Sequence, residues 1–271
     1  MLRGMVDEEE IIPGMRSSGK DRQRKVTETV VRNTGIPTAG SAKLNRIEQR
    51  YRQRRESGSP GWTDDYTGTE DELRDFLTRN GLTAAGNFLE LGCGAGNRTI
   101  IAARMGFHAF GIDISKEAVA WANAKNAAEK TLAEFQIGDI TSLAAFQADF
   151  FDVVYDGGVL YMITNQDDRR NCFANIARIL KPGGFLYATA HLANIGFHER
   201  FEMAPDSWYD PEGRFTTISG EPAYYFSTED EFCSEIGKAG LIFVRIKSYA
   251  EVHADRPFHA GEVLADARRP I

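Results

Sequence analysis

Apolar residues recur along this chain in two alternating rhythms. Short apolar runs at 87–91 (NFLEL), 108–112 (HAFGI), 134–137, 152–155 and 185–190 are bounded by turn residues and predict buried strands. Between them, spacings of three and four predict helices at 97–105, 116–130 and 166–180. A further helix over 70–80 has Thr69 as its N-cap, Glu72 three residues later and Gly81 beyond its end. The turn Lys181-Pro182-Gly183-Gly184 separates helix 166–180 from the next strand. Later come a helix at 227–239 capped by Ser227, a strand at 241–248 and a final strand at 261–268. Strands alternating with helices of this length predict an α/β fold: a mostly parallel sheet, helices on both faces and right-handed crossovers.

Two stretches depart from this rhythm. Residues 1–40 mix charges, Gly, Ser and Thr with scattered apolar positions and read as an extension. Within 41–56, Leu44, Ile47 and Tyr51 share one face between arginines, which predicts a short basic amphipathic helix, ended by SGSPGW at 57–62. Residues 192–225 hold seven aromatics and six acids among turn residues. A loop this long inside a compact domain is usually functional, so a lid or substrate insertion is expected there. Its aromatics would enclose an aromatic or cationic small molecule, or simply anchor the loop.

Composition narrows the class. The chain has 271 residues, 42% hydrophobic and 26% charged, as a globular protein should. Its net charge of −7 argues against coating nucleic acid through phosphates. That total averages two unlike segments: residues 1–60 carry 13 Lys and Arg against 8 Asp and Glu, whereas residues 61–271 carry 19 against 31. The asymmetry suggests a basic extension over 1–60 and an acidic domain over 61–271. Cys93, Cys172 and Cys233 are scattered and form no C-x-x-C pair, so neither a disulfide scaffold nor a zinc cluster is expected. No apolar run approaches the ~20 residues that span a bilayer. Glu8, Glu9 and Glu10, with no apolar stretch among residues 1–16, make a secretory signal unexpected, and a cytoplasmic location is expected.

The sharpest chemical feature is Glu90-Leu91-Gly92-Cys93-Gly94-Ala95-Gly96, between a predicted strand and helix. Glycines there permit a tight turn and close approach to a ligand, while the next helix offers free N–H groups. The dinucleotide pattern G-x-G-x-x-G is not met, because the third position after Gly94 is Asn97. Asp113 ends the second strand, Gly138-Asp139-Ile140 follows the third, and Tyr155-Asp156-Gly157-Gly158 ends the fourth. These are the carboxyl ends of strands, where open α/β sheets bind ligands. Taken singly, Asp113 or Asp139 reads as an ordinary helix N-cap.

In order and spacing, the glycine loop, Asp113, Gly138-Asp139, residues 151–156 and Leu180-Lys181-Pro182-Gly183-Gly184 resemble the class I S-adenosylmethionine-dependent methyltransferases, over roughly 65–270. The resemblance implies a Rossmann-like seven-stranded sheet of order 3-2-1-4-5-7-6, with strand 7 antiparallel. It implies S-adenosylmethionine as cofactor, with Gly92, Cys93, Gly94 and Gly96 against the methionine part and Glu90 supporting its ammonium. Asp113 would hold the ribose and Ile114 would pack on adenine. Asp139, with Ile140 beside it, would take the adenine amino group, and Tyr155 and the Asp156 region would reach the cofactor and face substrate.

Methyl transfer from a sulfonium needs proximity and, for a protonated nucleophile, a base. His191 after the fifth strand, Tyr161 and Asp156 are the candidates; His191 equally fits a hydrogen-bonded loop histidine. Many small-molecule relatives carry histidine where Tyr161 stands. The five histidines share no metal spacing, so no metal is expected. The Asn/Asp-Pro-Pro-Phe/Tyr tetrapeptide of adenine and glutamine methylation is absent, with Asp156-Gly157-Gly158-Val159 in its place. A small-molecule acceptor at O, N or S is therefore the leading reading. The alternatives are an RNA or protein methyltransferase using the basic arm, and a non-catalytic cofactor-binding protein. Homo-oligomerisation is left open.

Overall fold

The computed structural model of the protein describes residues 42–83, 85–192, 207–209, 215–218, 221–248 and 262–271. Helix α1 (Ala42–Glu56) and helix α2 (Thr69–Arg79) precede the sheet. There follow β1 (Asn87–Leu91), α3 (Asn97–Arg104), β2 (His108–Asp113), α4 (Lys116–Glu129), β3 (Glu134–Ile137) and β4 (Phe151–Asp156). A single 3-10 turn at Leu160–Met162 leads into α5 (Gln166–Ile179) and β5 (Leu180–Leu192). The chain continues through β6 (Ser207–Tyr209), β7 (Phe215–Ile218), β8 (Glu221–Ser227), α6 (Glu229–Lys238), β9 (Ile242–Ser248) and β10 (Glu262–Arg268).

Strands β3, β2, β1, β4 and β5 are parallel in that order; β10 pairs antiparallel with β5, and β9 antiparallel with β10. With the β6–β8 ribbon set aside, this is the expected 3-2-1-4-5-7-6 order with its last strand reversed. Side chains alternate between the faces, as the pleat requires. Phe88, Val153 and Phe185 join Leu73, Phe76 and Leu77 of α2 on one face. Leu89, Val154 and Leu186 join Phe173 and Ile176 of α5 and Phe232 of α6 on the other. A third, smaller cluster has Tyr51 of α1 packed with Ala95, Ala118 and Trp121.

Several boundaries differ from the sequence expectation for identifiable reasons. Gly68, with φ 80°, is the N-cap of α2, so Thr69 lies buried inside the first turn instead of capping it. Thr228, not Ser227, caps α6 through a reciprocal capping box with Glu231, because Ser227 is still paired with Leu192 in the sheet. β5 begins at Leu180 and runs through the Pro-Gly-Gly segment, well before the expected start at 185.

The stretch 192–225 contains an antiparallel ribbon, β6–β7–β8. β8 pairs parallel with His191 and Leu192, while β10 takes the other edge of β5. A strand has two edges, so β8 continues the sheet on the side of β4, past the point where β4 stops. The residues between these strands, including His198, and the arm over residues 1–41 lie outside the described residues.

Candidate functional site

A cavity of about 1090 Å³ opens at the carboxyl ends of the parallel strands, where the strand order reverses between β1 and β4. Its first wall is the glycine loop. Gly92, Gly94 and Gly96 have φ of 65°, 52° and 80°, a region that strains any other residue. Gly92 and Gly94 line the cavity with Cys93. Gly96 is not brought there: a Cβ at that position would lie 2.7 Å from Phe135 and 2.9 Å from Ala122, so this glycine serves helix–sheet packing.

Asp113 closes β2 and is 6% exposed. Its Oδ2 accepts from the Gly94 N–H and its Oδ1 from the Ser115 N–H, both at 2.9 Å. Burial pushes its carboxyl up to about 6, against the pull of those N–H groups and with a push from Glu48. Ile114, Asp139 and Ile140 line the same wall. Asp139 Oδ1 accepts from the Thr141 N–H at 2.8 Å, so it also caps its own turn. Glu90 is 3% exposed and accepts from Arg98 Nη1 at 3.0 Å, the Thr99 N–H at 2.9 Å and Thr99 Oγ1 at 2.5 Å. Its carboxyl is raised by burial and drawn back by the Arg98 guanidinium.

Asp156 ends β4 at the centre of the site. Its Oδ1 accepts from the N–H groups of Gly158, Val159 and Leu160, and its Oδ2 from the N–H and hydroxyl of Thr189. That pattern fixes the 157–160 turn and occupies the lone pairs, which makes Asp156 a positioning residue and a poor base. Arg169, 2% exposed, supports the same turn. It donates to the carbonyls of Leu160 and Ile163 and forms a bidentate pair with Glu235 of α6.

The remaining predicted residues are placed differently. Tyr155 lies outside the cavity: the pleat turns it to the opposite face from Val154, where its ring stacks on Tyr187 at 4.1 Å and 11°. Both hydroxyls donate to Glu72 Oε1, at 2.7 and 2.6 Å. His191 belongs to β5 itself, since the strand continues to Leu192, and it sits 5% exposed behind Tyr161. The two rings are 3.9 Å apart, and Tyr161 is the one that reaches the cavity.

Sequence reasoning missed four contributors. Glu72, read as a capping residue, lines the cavity; so do Tyr51 and Lys43 of α1 and Trp62 after it. Tyr51 packs on Trp62 at 5.1 Å, and Lys43 Nζ donates to the Met162 carbonyl at 2.8 Å. The apolar face of Ile47 and Tyr51 was visible in the sequence; its partner surface was not. The walls carry eight acidic side chains and two basic ones, an environment suited to a cationic ligand. Among the described residues no three His, Cys, Asp or Glu side chains come together as metal ligands, and no helix is long and apolar enough to cross a membrane.

A buried carboxylate at a strand end with acceptor capacity left, beside glycines on which a Cβ would collide, fits a nucleoside carrying a cationic tail. Residues 89–188 match the family model described as a methyltransferase domain. The O-methyltransferase resE of Aspergillus sclerotiorum is 31% identical over 152 residues, covering 51% of this chain and 56% of its own length. The ubiquinone biosynthesis O-methyltransferase of Hahella chejuensis is 28% identical over 202 residues, covering 71% of this chain and 83% of its own. The chain spans about half the length, or less, of the first curated relatives it matches. A solved S-adenosylmethionine-dependent methyltransferase from Clostridium acetobutylicum superposes with a TM-score of 0.61 at 13% identity, over 84% of this chain and 99% of that one, which shows a shared fold. Domain match and strand order agree: residues 89–188 form a methyltransferase domain, in a chain with the fold of the class I S-adenosylmethionine-dependent methyltransferases.

Proposed function

We propose that this protein transfers a methyl group from S-adenosylmethionine to an O, N or S nucleophile of a small molecule. The observation that carries the reading is the convergence of Gly92, Gly94, Glu90, Asp113 and Asp139 on one cavity at the strand ends. When bound, S-adenosylmethionine supplies a methyl carbon already activated by a sulfonium. In this reading Asp113 accepts from the ribose hydroxyls, and Ile114 and Ile140 pack on the adenine. Asp139 accepts from the adenine amino group, while Gly92 and Gly94 let the backbone approach the methionine part. Glu90, anchored by Arg98 and Thr99, supplies negative charge near the cofactor's cationic end.

The acceptor would occupy the part of the cavity lined by Tyr66, Thr69, Glu72, Tyr161 and Thr189. Asp156 holds the 157–160 turn that separates the two halves, and His191 acts through the ring of Tyr161. The protein's main contribution is to bring nucleophile and methyl carbon together and exclude water. Relatives named as O-methyltransferases and as phosphoethanolamine N-methyltransferases support a small-molecule acceptor. The acidic walls weigh against a polyanion such as RNA in the cavity. Calorimetric titration of the wild type with S-adenosylhomocysteine tests the reading. Binding in the micromolar range that Asp113→Ala weakens about 100-fold is expected, and no binding by the wild type would refute it.

A further inference from the structure

Asp113 and Gly94 are buried, although both line the cavity. What covers them is α1. Tyr51, the one fully buried residue described in that helix, presses its hydroxyl toward the glycine loop, so that a Cβ on Gly94 would lie 2.8 Å from it. A ligand that uses Asp113 must displace this cover or enter beneath it.

Beyond the packing of Tyr51 and Ile47, the attachment of α1 is polar. Glu48 reaches across to the N-terminus of α4, where Oε2 accepts from Ser115 Oγ at 2.7 Å and the Glu117 N–H at 2.9 Å, and Oε1 from the Lys116 N–H at 2.8 Å. A carboxylate among the unpaired N–H groups of a helix start is held by charge-assisted bonds and by the helix dipole. Ser115 is the hub: its Oγ also accepts from the Ala118 N–H, and its own N–H donates to Asp113. The chain of contacts Glu48–Ser115–Asp113–Gly94 thus links the docking of α1 to the acid assigned to the ribose. One turn further on, Arg52 pairs with Glu117 at 2.6 Å in an exposed bridge, which adds little. With one buried residue described in the whole helix, α1 is the kind of segment that opens locally while the core stays folded.

We propose that α1 is a strap over the cofactor site and that Glu48 is its latch, a positioning residue whose release admits and discharges the cofactor. The proposal rests on the reading of the cavity as an S-adenosylmethionine site. A latch broken equally in the free and bound protein raises entry and exit together and leaves the equilibrium nearly unchanged. A mere wall contact would instead speed exit alone.

The test is rapid mixing of the full chain with S-adenosylhomocysteine, followed by tryptophan fluorescence, since Trp62 lines the cavity against Tyr51. For Glu48→Ala, association and dissociation rate constants should both rise about tenfold, the effect of about 1.4 kcal/mol, with Kd moving less than about threefold. Arg52→Glu, an exposed change that leaves the core intact, should move both rates the same way by about two- to threefold. Unchanged rates in both variants, or a rise confined to dissociation with a matching loss of affinity, would overturn the strap. No binding by the wild type would overturn the cofactor reading and the strap with it, so the two failures are distinguishable.

Discussion

The two halves of the cavity are built by different means. The half proposed for the cofactor rests on β1, β2 and β3 and their following turns, where backbone N–H groups and left-handed glycines do most of the positioning. The half proposed for the acceptor is assembled from side chains far apart in sequence: Glu72 from α2, Tyr161 from the turn after β4, and Tyr187 and Thr189 from β5, with His191 backing the Tyr161 ring. A site made of local backbone geometry is specified by a short sequence pattern. One made of side chains from separate elements is specified only by the fold.

Substitutions should therefore separate the halves. Asp113→Ala is expected to weaken S-adenosylhomocysteine binding about 100-fold by calorimetry, since hydrogen bonds to a charged group contribute about 1.5–3 kcal/mol each. Unaltered affinity would remove the ribose assignment. Glu72→Ala should do the converse. It strands two buried tyrosine hydroxyls, at about 1–3 kcal/mol each, and lowers Tm by several degrees, yet cofactor affinity should stay within about threefold. A large loss of affinity in that variant would show that the halves are not separable.

Acidity gives a third contrast. The Asp113 carboxyl lies near 6, above the ordinary value of about 4. Below pH 6 it protonates and loses acceptor capacity, so cofactor affinity should fall by up to about tenfold per pH unit as pH drops from 6 toward 5. Because the folded value is raised, the same group favours the free fold at low pH, and that contribution is lost as pH rises from about 4 through 6. A flat affinity profile between pH 5 and 7 would mean that Asp113 does not contact the ligand. The smallest effect belongs to Tyr161→Phe, which keeps the ring against His191 and should leave cofactor binding unchanged while altering turnover only.

The same division explains what the sequence made legible. β1 to β4, the glycine loop, Asp113 and Asp139 follow from patterns within a few residues of each other, and they stand where those patterns predict. Gly96 and Tyr155 sit in the same motifs but face away, because close packing against Phe135 of β3 and Ala122 of α4 claims one and the pleat turns the other. His191 read as a residue beyond its strand only because the pairing of β8 and β10 that lengthens β5 comes from distant segments. The basic helix 42–56 was legible as a helix, whereas its docking depends on the start of α4, 60 to 70 residues away, which no local pattern encodes.

The most direct measurement is a crystal structure of the full chain with S-adenosylhomocysteine. The account predicts ribose hydroxyls on Asp113, adenine against Ile114 and Ile140 with its amino group on Asp139, and the amino-acid part over Gly92 and Gly94. Density for the ligand elsewhere, or a ribose that makes no bond to Asp113, would contradict it.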